Sequence, residues 1–84
     1  MKLLFAPEAW EDYLYWQEYD KKTLKRLNEL IKAIRREPFN GIGDPEPLKF
    51  NWSGFWSRRI NREHRLVYAI QEDTLMIAQC RYHY

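Results

Sequence analysis

A chain of 84 residues makes one domain, 1–84, whose limited core must draw on four Trp, six Tyr and four Phe. The one cysteine, Cys80, rules out an internal disulfide, no Cys/His spacing suits zinc, and no apolar run approaches the roughly 20 residues that cross a bilayer. Net charge is only +2 but unevenly spread: acidic residues dominate from Glu8 to Asp20, and Lys21 to Arg36 holds seven Lys/Arg against one Glu. A cytoplasmic protein without metal, cofactor or membrane anchor is expected, with an anionic partner such as nucleic acid.

Lys2 to Phe5 reads as a short strand. Pro7 suits the first turn of a helix, where its missing N–H costs little. Trp10, Tyr13, Leu14 and Gln17 continue it at helical spacing, so a first helix is expected from Glu8 to Glu18. Asp20 is a good N-cap for a second helix, in which Leu24, Leu27, Ile31 and Ile34 form one apolar stripe. Lys22, Lys25, Arg26, Lys32 and Arg36 lie largely off that stripe, and Pro38 ends the helix. The short gap between the helices implies an antiparallel hairpin. Pro38 to Pro47, with three prolines and two glycines, reads as a long loop of the kind that often carries function. Three strands follow, from Phe55 to Ile60, His64 to Ile70 and Thr74 to Tyr82, and their short connections make an antiparallel meander. The expected fold is α+β, with the N-terminal strand and two helices packed on one face of a twisted antiparallel sheet.

Alternation along the strands then assigns two faces. Leu66, Tyr68 and Ile70, with Met76, Ala78, Cys80 and Tyr82, and with Trp56 and Ile60, are the natural floor under the helices. The other register carries Ser57 and Arg59, then Arg65, Val67 and Ala69, then Ile77, Gln79, Arg81 and His83. Arg58 falls in the core register and is expected to snorkel at an edge. His64, where a turn re-enters a strand, is expected to be structural.

A sheet face bearing cations from separate strands suits a phosphodiester backbone, although open antiparallel faces are often simply polar. Cleaving RNA without metal requires a base for the 2′-hydroxyl, an acid for the leaving 5′-oxygen and cations for the charge on phosphorus. Glu46 fits the base and His83 the acid. Arg59, Arg65 and Lys49 fit the phosphate, and Tyr84 fits base stacking or phosphate orientation. Each has a plainer reading: a solvated loop carboxylate, a frayed terminal histidine, surface arginines. Trp52, Phe55 and Trp56 suit nucleotide stacking or ordinary packing.

The segment NWSGFWSRRINREHRLVY, from Asn51 to Tyr68, resembles the YoeB-type toxins of the RelE/ParE superfamily. So do Pro45-Glu46-Pro47-Leu48-Lys49, the helical YLYWQ from Tyr13 to Gln17, and the closing CRYHY from Cys80 to Tyr84. The resemblance implies a RelE-like fold and a ribosome-dependent endoribonuclease that cleaves mRNA in the decoding site. It also implies a cognate antitoxin of the YefM kind, operator DNA bound only together with that antitoxin, and a homodimer. Carried over residue by residue, it makes Glu46 the general base, His83 the general acid and Arg65 the transition-state cation. Lys49 and Arg59 then hold phosphate and substrate, and Tyr84 is the terminal aromatic of the site. The basic helix residues Lys22, Lys25, Arg26 and Lys32 would dock on ribosomal RNA. The alternative on the same scaffold is a non-catalytic ParE-like toxin or a nucleic-acid-binding corepressor, neither of which requires the Glu46/His83 pair.

Overall fold

The computed structural model describes residues 1–83. In chain order it contains β1 (Lys2–Phe5), α1 (Pro7–Tyr19), α2 (Lys21–Arg36), β2 (Glu46–Pro47), a 3-10 turn (Phe50–Trp52), β3 (Trp56–Arg59), β4 (Arg65–Gln71) and β5 (Thr74–Gln79). The sheet order is β1-β5-β4-β3-β2. The α+β architecture is as expected, and β3, β4 and β5 form the anticipated meander. The sheet is nevertheless mixed, because β1 runs parallel to β5. Tight hairpins force antiparallel neighbours, whereas β1 reaches β5 only through the rest of the chain and is free of that constraint.

Helix α1 starts with Pro7 at its first turn. Asp20 is the single residue between the helices, closing α1 through its N–H to the Trp16 carbonyl and opening α2 as its N-cap. Its Oδ1 accepts from the Thr23 N–H at 3.0 Å and its Oδ2 from the Thr23 hydroxyl at 2.7 Å. Leu27, Leu30, Ile31 and Ile34 of α2 are buried with Ala9 and Trp16 of α1. They pack on Ile60, Leu66, Tyr68, Leu75, Ile77 and Cys80, which forms the core between hairpin and sheet.

Two sequence expectations about the sheet need correction. The first concerns β5. Leu75 and Ile77 are fully buried in the core, whereas Met76 and Ala78 are only half-buried. Tyr68 pairs with Ile77, but the next residue back along β4, Val67, pairs with Gln79. Ala78 is therefore an extra residue, a β-bulge that shifts the alternation by one. Before it the odd positions face the helices; after it Cys80 does. The strand also ends at Gln79 rather than Tyr82.

The second concerns Arg58, which reaches no edge. It is 0% exposed and lies among the largest buried side chains. Its Nη1 donates to the Ile42 carbonyl at 2.9 Å, and Nη2 to those of Glu37 and Asn40 at 2.7 and 2.8 Å. Its Nε donates to the Tyr68 hydroxyl at 3.2 Å, which itself donates to the Pro38 carbonyl at 2.7 Å. Burial of a guanidinium is tolerated only when its donors are satisfied, and here the loop after α2 supplies the acceptors. Gly43 in that loop has φ +86, and a Cβ there would lie 2.8 Å from Leu30 Cδ2 and 3.1 Å from Arg58 Cβ. The loop thus folds tightly over Arg58 and leads into β2, so Glu46 and Pro47 lie on an edge strand and not in a loop. Pro47 is tolerated because the edge leaves its missing donor unneeded.

Candidate active site

Register places most of the candidate residues. Glu46 lies opposite Ser57, Ser57 opposite Val67, and Val67 opposite Gln79. Directly paired residues share a face, so this row crosses four strands on the side away from the helices. Arg59, two residues from Ser57, pairs directly with Arg65, two residues from Val67. Glu46, Arg59 and Arg65 therefore share the face away from the helices, where Ser57 and Val67 between them are buried. Like charges directly opposite one another repel, and an anion over the two guanidinium groups would relieve that cost. Arg59 is exposed and Arg65 half-buried. Arg65 Nη1 donates to the carbonyls of Asn61 at 2.9 Å and His64 at 3.1 Å, which steadies its side chain against the β3–β4 turn.

Lys49 follows Glu46 around the edge of the sheet. Both border a shallow cleft of ≈ 420 Å³ with Pro47, Leu48, Phe50 and Trp52. Phe50, which no sequence pattern singles out, is 91% exposed and held at φ +57, an uncommon conformation for a bulky residue. Its only sequence signal was a place next to Lys49. Trp52 is half-buried and meets Phe55 edge-on at 5.2 Å.

After β5 the chain continues alongside β4 toward its first residue. The Arg65 N–H donates to the Tyr82 carbonyl at 2.9 Å, and the Tyr82 N–H donates to His64 Nδ1 at 2.7 Å. His83 is the next residue and is exposed. The terminus thus arrives at the end of the sheet where Arg59 and Arg65 stand. Tyr84 lies outside the described residues.

The basic residues of α2 divide. Lys22, Lys25 and Lys32 are exposed. Arg26 is half-buried and drawn toward the sheet, with Nε donating to the Ile60 carbonyl at 3.3 Å. Among the described residues no three His, Cys, Asp or Glu side chains gather closely enough to hold a metal ion. No helix among them is long and apolar enough to cross a membrane. Burial pushes the Cys80 thiol upward, helped by the nearby Asp12 carboxylate, so the thiol stays protonated. Cys80 thus belongs to the core and not to the chemistry.

A family model of YoeB-like toxins of bacterial type II toxin–antitoxin systems matches residues 5–84. The toxin YoeB of Escherichia coli strain K12 is 67% identical over the whole of both chains. Two Staphylococcus aureus structures, a YoeB–YefM complex and a YoeB dimer, are 50% and 52% identical. Each covers all of this chain and 98% of its own, with a TM-score of 0.93. With a family model covering nearly its full length and a relative at two-thirds identity, this chain belongs to the family of YoeB-like toxins of bacterial type II toxin–antitoxin systems.

Proposed function

We propose that this toxin is an endoribonuclease that cuts mRNA in the ribosomal decoding site and so stops translation. In this reading Glu46 takes the proton from a ribose 2′-hydroxyl and the freed oxygen attacks the adjacent phosphorus. His83 then delivers a proton to the departing 5′-oxygen as the P–O5′ bond breaks, leaving a 2′,3′-cyclic phosphate and a 5′-hydroxyl. Arg65 and Arg59 neutralise the charge that builds on the phosphoryl oxygens, with Lys49 holding the neighbouring backbone and Tyr84 completing the site. Base, acid and cations are all side chains, so the reaction as written calls on no metal. The observation that carries this reading is the shared face of Glu46, Arg59 and Arg65, with the chain after β5 running on beside Arg65. Lys22, Lys25 and Lys32, with Arg26 at their margin, are the proposed ribosomal RNA contact. A cognate antitoxin of the YefM kind is the proposed partner, by analogy with the S. aureus complex, and operator DNA is bound only with it. A homodimer is proposed by analogy with the S. aureus dimer.

The test maps cleavage of an mRNA held in purified ribosomes. Glu46→Ala and His83→Ala are each expected to slow cleavage about 10²- to 10⁴-fold, while co-sedimentation with ribosomes is unchanged. Cutting at the normal rate by both variants would overturn the assignment. Binding without cleavage by the wild type would favour a non-catalytic toxin.

A further inference from the structure

We infer that Asp12, Trp16 and His64 are positioning residues that clamp the segment Cys80 to Tyr82 and thereby fix where His83 stands. This rests on the proposed role of His83 only for its consequence, not for the clamp itself.

Chain ends ordinarily fray unless something ties them down. Here β5 stops at Gln79, and the Cys80 peptide groups find their partners on α1 instead. The Cys80 N–H donates to Asp12 Oδ2 at 3.1 Å, and the Cys80 carbonyl accepts from Trp16 Nε1 at 2.8 Å. Asp12 and Trp16 lie four residues apart on α1, which puts them on the same helix face and lets them take both polar groups of one residue. Two residues later Tyr82 is held on the other side, by His64 Nδ1 and the Arg65 N–H. Tyr82 has φ +66, which a tyrosine keeps only when its surroundings hold it there.

The clamp is itself braced. The His64 N–H donates to Asn61 Oδ1 at 2.9 Å, and the His64 carbonyl accepts from the Ile60 N–H at 3.0 Å. The His64 ring meets Trp16 edge-on at 4.8 Å, so one indole touches both halves of the device. Between them Arg81 stacks 3.4 Å over the Tyr15 ring and 4.6 Å from that of Tyr82. A general acid must stand within hydrogen-bond reach of its target, and a misplacement of about 1 Å can cost 10²-fold in rate. A catalytic residue on an untethered segment would not meet that demand.

The test uses the full-length protein. His64→Leu removes the acceptor, and His64→Asn restores one near the Nδ1 position; Trp16→Phe keeps a ring without the N–H. Two quantities are read: amide hydrogen exchange at Cys80 and Tyr82, and kcat and KM for mRNA cleavage in purified ribosomes. His64→Leu is expected to speed Tyr82 exchange roughly tenfold and to lower kcat about 10- to 100-fold, with KM little changed. His64→Asn is expected to recover both, and Trp16→Phe to show the exchange effect at the segment from Cys80. Unaltered exchange in His64→Leu and Trp16→Phe would overturn the clamp. So would quickened exchange with wild-type kcat, provided that His83→Ala is inactive. If His83→Ala cuts at full rate, the failure belongs to the nuclease reading instead.

Discussion

Arg58 is a residue whose sequence context misleads. Hydropathy places an arginine at a surface, while strand alternation places this one under the helices, and the alternation wins. What the local sequence does not contain is the set of carbonyls from Glu37, Asn40 and Ile42 that turn inward to meet it, some 16 to 21 residues away. Arg58→Met would leave those carbonyls and the buried Tyr68 hydroxyl without their donor, at a cost of roughly 1–3 kcal/mol. Arg58→Lys should not recover it, because one ammonium cannot span the fork. Urea unfolding midpoints check both. Gly43→Ala is expected to be harmful for a different reason, combining a left-handed backbone with a contact on Leu30 that has little room to yield; a lowered Tm is the expected result.

The helical hairpin was readable to within a residue or so at its ends, because Pro7, Asp20 and Pro38 punctuate it by simple backbone chemistry. Asp20 adds a pH dependence. The Thr23 hydroxyl and N–H hold its carboxyl below the usual carboxylate range. A folded-state pKa that is depressed stabilises above the unfolded pKa, and the benefit is lost as pH falls through the folded value. Asp20→Ala should therefore be less stable than wild type at neutral pH, with the difference closing in strong acid. Asp12 on α1 has the opposite sign. Burial raises its carboxyl, although the Cys80 N–H and Arg81 pull it down. Its favourable contribution is complete below the unfolded pKa and disappears as pH rises through the raised folded value. Asp12→Asn, which keeps an acceptor for Cys80, is expected to gain stability at neutral pH and to lose that gain in acid. Denaturation midpoints across pH would read both effects, and matching slopes for the two variants would contradict this account.

For the whole molecule, the two-layer arrangement and the meander followed from periodicity and short connections, whereas the parallel pairing of β1 did not. Nothing within Lys2–Phe5 encodes its partner, since that pairing joins the two ends of the chain. The candidate site was partly legible because strand alternation fixes which residues share a face. Arg59 and Arg65 sit at matching positions of neighbouring strands, so counting alone puts them together. Glu46 reads as a loop residue because a two-residue strand containing proline carries no pattern. The contacts of Asp12 and Trp16 with Cys80 span 68 and 64 residues, and no local signal announces them.

Ala78 sets a phase. Ahead of it β5 buries Leu75 and Ile77; behind it the chain buries Cys80, and the count from there decides which way the last residues leave the protein. Excising that one alanine would make Ile77 and Gln79 neighbours, as their partners Tyr68 and Val67 already are, and Leu75, Ile77 and Cys80 would still face the helices in one regular alternation. Deletion of Ala78 should thus keep the cooperative unfolding transition, while insertion of one alanine between Gln79 and Cys80, which would turn Cys80 outward, should abolish both that transition and growth arrest. At this point in the chain one residue is spare, and one more would be too many.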